Sequence, residues 1–166
     1  MLRKLLADKR QTTLWVLTLY VSFVFIQSLF FKFSGSPETV HIFSTLDVWA
    51  EDMFGLAGLF APGGIFSARV VGSAELVASS MLLVGMITGS GGLHGVGALI
   101  GLGVISGAIF FHLLTPLGTV IINTELGVAS DGGTLFIMSC GVWASCATIV
   151  LLRRQALTGL LPGRKG

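Results

Sequence analysis

The sequence predicts an all-α integral membrane protein: a four-helix transmembrane bundle with a short amphipathic helix in the connection between the first two spans. Three observations carry this. The 166 residues are 53% hydrophobic and only 11% charged, and mean hydropathy is +0.90. A soluble domain of this size needs a polar skin, which ten basic and eight acidic residues cannot supply. The apolar residues gather into four runs, each long enough to cross a hydrocarbon core of ~30 Å. The chain is read as one four-span domain, with spans at about 14–33, 68–88, 92–114 and 133–152.

The first run follows a basic start, MLRKLLADKR. A cleaved signal peptide would have a shorter apolar region and a small-residue cleavage site. This run closes instead on Phe30, Phe31, Lys32 and Phe33, which predicts a retained helix with an aromatic belt. Between the first and second runs, residues 34–67 are too many for a structureless loop. Ser36 reads as an N-cap, Pro37 as the first helical position and Glu38 as a first-turn acid. Val40, Phe43 and Leu46 then fall near one face, followed by Trp49 and Phe54. One short interfacial helix, or two, is expected, ended by the turn at Pro62, Gly63 and Gly64.

The second run contains Glu75. A short glycine-rich link, residues 88–92, makes the second and third spans antiparallel neighbours. The connection at 115–131 holds Pro116 and Glu125. No internal repeat or low-complexity tract is present.

Basic residues set the orientation. Arg3, Lys4, Lys9 and Arg10 precede the first span, and Arg153, Arg154, Arg164 and Lys165 follow the fourth. An even number of crossings puts both groups on the cytoplasmic side of the membrane. Glu38, Asp47, Glu51, Asp52, Glu125 and Asp131 then lie outside.

Spans in lipid pack through small residues. Gly97 with Gly101 and Gly103 with Gly107 mark the third span, and Gly72, Glu75 and Ser79 share a face of the second. Ser28 and Lys32 share a face of the first; Gly133, Gly141 and Ala144 lie on the fourth.

This topology gathers Lys32, Glu75, His112 and Asp131 in the outer half of the bundle. Glu75 should lie about 9 Å deeper than Arg69, at roughly 1.5 Å per residue. A lone carboxylate in hydrocarbon costs ~3 kcal/mol or more, so Glu75 must be neutral, wet or paired. Lys32, Arg69 and His112 are the candidate partners. Each residue also has a plainer role. Lys32 can snorkel, Arg69 can anchor at the interface, Asp131 can cap the fourth span, and His112 can be a packed histidine with a backbone partner. His41 and His94 are expected at the membrane interfaces. Cys140 and Cys146 are expected as small packing residues. Their spacing makes neither a CxxC pair nor a zinc set.

No metal site, haem motif or flavin fingerprint is present, and nothing suggests nucleic-acid binding. The expected partners are the lipid bilayer together with other membrane subunits or further copies of the chain.

Ser28 to Gly35 (SLFFKFSG), Gly72 to Leu76 (GSAEL), Ala108 to His112 (AIFFH) and Asp131 to Gly133 (DGG) together resemble the DoxX-like family of small bacterial membrane proteins. The likeness touches all four spans. It implies a four-helix membrane fold and, for some members, association with membrane redox complexes, including quinone-linked thiosulfate oxidation. The expected function is therefore an integral or accessory subunit of a membrane redox system, with a quinone or lipid headgroup at the Glu75/His112 site. The alternatives are a small proton-coupled transporter and a purely structural assembly subunit.

Overall fold

A computed structural model describes residues 2–122 and 130–160, with side chains from Lys9 onward. Glu125, Arg164 and Lys165 lie outside the described residues. Five helices follow one another: α1 (Leu2–Ser34), α2 (Pro37–Phe54), α3 (Ala68–Ile87), α4 (Gly91–Leu114) and α5 (Thr134–Thr158). Lys9–Ser34 of α1 and the whole of α3, α4 and α5 are long and apolar enough to cross a membrane. The chain is thus a multi-pass helical membrane protein, as its composition predicts.

Two helices run beyond the apolar stretches that announce them. α1 begins at Leu2, and α5 continues through Arg153 and Arg154 to Thr158. Backbone hydrogen bonding does not stop where hydrophobicity stops. Long basic side chains sit comfortably on a helix that has emerged from lipid.

The four spans form a closed ring in the order α1, α3, α4, α5, with α5 returning against α1. Their shared core is built from Val21 and Phe25 of α1, Ala78 and Leu82 of α3, Ala98 and Ile105 of α4, and Val142 and Ile149 of α5. Phe23, Phe30, Ile87, Ile137 and Leu151 point outward, as expected where lipid is the solvent.

The small residues of α4 divide between two faces. A Cβ at Gly97 would lie 2.8 Å from the Leu82 backbone nitrogen, and one at Gly101 would lie 3.1 Å from the Phe25 ring. Gly97 therefore sets the close approach of α3 and α4. Gly103 and Gly107 face open space.

The connection after α1 contains one helix, not two. Ser36 accepts a hydrogen bond from the Thr39 N–H, and Pro37 occupies the first turn. α2 stops at Gly55, whose φ of 68° lets the chain turn back. The Gly55 and Leu56 N–H groups bond to the carbonyls of Glu51 and Ala50. Leu46 and Ala50 pack with Phe60, Leu117 and Ile121 in a second, smaller core. α2 thus lies over one end of the bundle, here termed the α2 end. The other end carries the start of α1, the α3–α4 turn and the end of α5.

Candidate functional site

Lys32 is on the last turn of α1, where Ser28 lies one turn below it on the same face. Glu75 is two turns into α3, which packs directly on α1. The geometry joins all three. The Lys32 ammonium donates to Glu75 Oε1 and Oε2, both at 2.8 Å, and to Ser28 Oγ at 3.0 Å. The Ser28 hydroxyl donates to Glu75 Oε2 at 2.5 Å. The two charged side chains are 16% and 6% exposed, so water screens them little. Of the three partners open to Glu75 in the sequence, α1 supplies the one in contact. Arg69 is exposed and makes no ion pair among the described residues.

His112 and Asp131 stand apart from this pair and organise the α4–α5 connection. His112 Nδ1 lies 2.6 Å from the Gly118 carbonyl. A carbonyl can only accept, so the Nδ1–H donates to it. The ring also meets Phe136 edge-on at 5.8 Å. Asp131 accepts from the backbone N–H groups of Ile121 at 2.8 Å, Gly133 at 3.0 Å and Leu135 at 3.1 Å. Burial pushes its carboxyl up, but these three donors, with His112 nearby, outweigh burial and hold it below the usual aspartate range. Asp131 therefore ties the start of α5 to the connection before it. Among the described residues, neither His112 nor Asp131 hydrogen-bonds to Lys32 or Glu75.

A cleft of about 350 Å³ opens at the α2 end above the ion pair. Lys32, Phe33, Phe43, Phe60, Ser67 and Arg69 are among its walls. Asp47 also lines it, but its carboxylate accepts from the N–H of Phe60 at 2.8 Å and of Gly58 at 3.3 Å. The cleft thus combines aromatic surface, the ammonium of Lys32, the guanidinium of Arg69 and the carboxylate of Asp47. That set suits the polar head of a molecule whose tail lies in lipid.

A second polar cluster lies at the opposite end, around His94. This histidine is 0% exposed, beneath the first turn of α4. Thr18 Oγ1 lies 2.8 Å from its Nε2, and the Arg153 Nε–H donates to its Nδ1 at 3.1 Å. An arginine on Nδ1 fixes the tautomer, so Nε2–H donates to Thr18. Arg153 counts in the sequence only toward membrane orientation. Its position on the bundle face of α5 was the signal for this role. Cys146 is buried in the core, as its packing role requires, whereas Cys140 is exposed. Among the described residues, no cluster of histidine, cysteine and acidic side chains could hold a metal ion.

Compared with known proteins, the chain matches no family model, no curated protein and no solved structure.

Proposed function

We propose that this protein is an accessory subunit of a membrane redox system, whose cleft at the α2 end receives the polar head of an amphipathic membrane molecule, a quinone or a lipid. The observation that carries the reading is the Lys32–Glu75–Ser28 cluster, whose lysine stands in the wall of that cleft. An ion pair at a membrane boundary is costly to maintain, and such residues commonly mark functional sites. The sequence carries no haem motif, flavin fingerprint or paired cysteines, so on this reading a partner carries the electrons. The four motifs that resemble the DoxX-like family support the redox association. On this reading the chain resides in a bacterial inner membrane, with both termini cytoplasmic, in keeping with its basic ends and the acidic residues Glu51 and Asp52 at the α2 end.

The test is purification from the native host in mild detergent, with mass spectrometry of bound proteins, quinones and lipids. A redox enzyme subunit should accompany the chain, and Glu75→Gln should lower quinone or lipid retention without loss of the folded protein. A solitary protein that carries no amphipathic ligand would overturn the proposal.

The full set of hydrogen bonds to Glu75 favours a second reading, in which the pair only locks α1 to α3. Replacement of both partners, Lys32→Met with Glu75→Leu, separates the two. A pure lock tolerates the apolar pair with partner activity intact, whereas a headgroup site loses it.

A further inference from the structure

We infer that the cleft at the α2 end seats the phosphate of an anionic phospholipid against the first turn of α3, with Arg69 and the Ser67 hydroxyl as its donors. This rests on the reading that the cleft receives a headgroup, and it names the chemistry of that headgroup.

Three independent observations converge. First, α3 is 20 residues long and begins in the cleft wall at Ala68. The N–H groups of a helix's first turn have no partners within the helix and carry partial positive charge, which favours a phosphate. Second, the N-cap Ser67 is only 2% exposed, yet its side chain makes no capping bond and has no other hydrogen-bond partner among the described residues. Ser67 lines the cleft, so an anionic oxygen there would find a donor in this unengaged hydroxyl. Ser36, the N-cap of α2, by contrast caps its own helix. Third, Lys32 is already neutralised by Glu75, which leaves Arg69 as the unpaired cation in the cleft.

A lipid is the source of the phosphate because the approach is apolar. Ile65, Phe66 and Val70 flank the α3 start and are 68%, 48% and 48% exposed. Water would leave such surface unsatisfied, while acyl chains cover it at the level of the headgroups. Asp47 keeps its negative charge in the same cleft; the Gly58 and Phe60 N–H groups hold its carboxylate against the α2–α3 connection, so Arg69 must outweigh it for an anion to bind.

The experiment uses the full chain in detergent, with native mass spectrometry and thermal shift. The probes are phosphatidylglycerol, phosphatidylcholine and inorganic phosphate. Phosphatidylglycerol should remain bound and raise the melting temperature, whereas the other two should not. Arg69→Gln should weaken phosphatidylglycerol binding about tenfold, as loss of a charge-assisted contact predicts. Ser67→Ala should weaken it severalfold, and Arg154→Gln, an exposed arginine at the opposite end, should leave it unchanged. Equal binding of the two lipids, an unaffected Arg69→Gln variant, or equal weakening by Arg154→Gln would overturn the inference. Stabilisation by inorganic phosphate alone would overturn the lipid source. Loss of redox partners with phosphatidylglycerol still bound would sink only the proposed function. A redox partner and bound quinone without phosphatidylglycerol binding would sink only this inference.

Discussion

At the scale of single residues, Asp131 shows how a polar side chain at a span's edge becomes structural. Its carboxylate takes three backbone N–H groups, and these lower its pKa in the folded state. A depressed carboxylate stabilises the fold fully above its unfolded value of ~3.9 and loses that contribution as pH falls through the lower folded value. The melting temperature should therefore be insensitive to Asp131 between pH 7 and 5 and decline below about pH 4. Asp131→Ala should remove this residue's part of the acid decline and cost about 1 kcal/mol near neutrality, as loss of a side-chain acceptor at a helix start does. A melting series against pH on both proteins checks it. The sequence suggests Asp131 as the N-cap of the last span; Gly133 holds that position instead, and Asp131 reaches the Leu135 N–H from two residues upstream. The link back to Ile121 was not legible, since it depends on how the connection folds over the bundle. Glu75 was legible as a group that needs company. Which cation would supply it depends on helix rotation, and hydropathy leaves rotation open.

Among the elements, the α3–α4 hairpin offers the sharpest contrast. The sequence shows two glycine pairs on α4 and no means of ranking them. Only one lies in a contact: Gly97 meets the α3 backbone, while Gly103 faces open space. Gly97→Val should destabilise the bundle by about 2 kcal/mol, within the range for overpacking, because backbone atoms of α3 cannot yield as a side chain would. Gly103→Val should change stability by under ~0.5 kcal/mol. Thermal melts of the two variants in one detergent decide the matter, and equal effects would contradict the packing described. Span number and the α2 cap were readable from hydropathy, Ser36 and Pro37. Helix ends were less readable. α5 outlasts its apolar run because Arg153 turns inward to His94 rather than marking the end of the helix.

Over the whole molecule, two polar clusters hold opposite ends of one ring. α1 contributes to both, through Lys32 at the α2 end and Thr18 at the other, about 21 Å apart along a helix that rises roughly 1.5 Å per residue. The hydrophobic core of Val21, Phe25 and Leu82 lies between them. Glu75→Ala leaves a buried ammonium unpaired and should cost about 3 kcal/mol. His94→Ala should cost about 2 kcal/mol by opening a cavity and orphaning Thr18. At this separation the double variant should equal the sum within ~0.5 kcal/mol, as measured by reversible unfolding in mixed micelles. A larger coupling would mean that the two ends communicate through the core. The fold class was therefore open to sequence reasoning and the Lys32–Glu75 end partly so. The His94 end was hidden, because a histidine beside a glycine-rich turn looks interfacial until α5 is packed over it.

The ring order has a consequence for biogenesis. Spans leave the ribosome in sequence, so α1 is already in the bilayer when α3 arrives, and Lys32 can meet Glu75 at once. His94 enters with α4, but its arginine comes only with α5, which follows it in the chain. A nascent chain halted before α5 would hold a histidine with Thr18 alone and an unclosed seam along α1. Arrival of α5 would then be the step that makes the protein resistant to quality-control proteases.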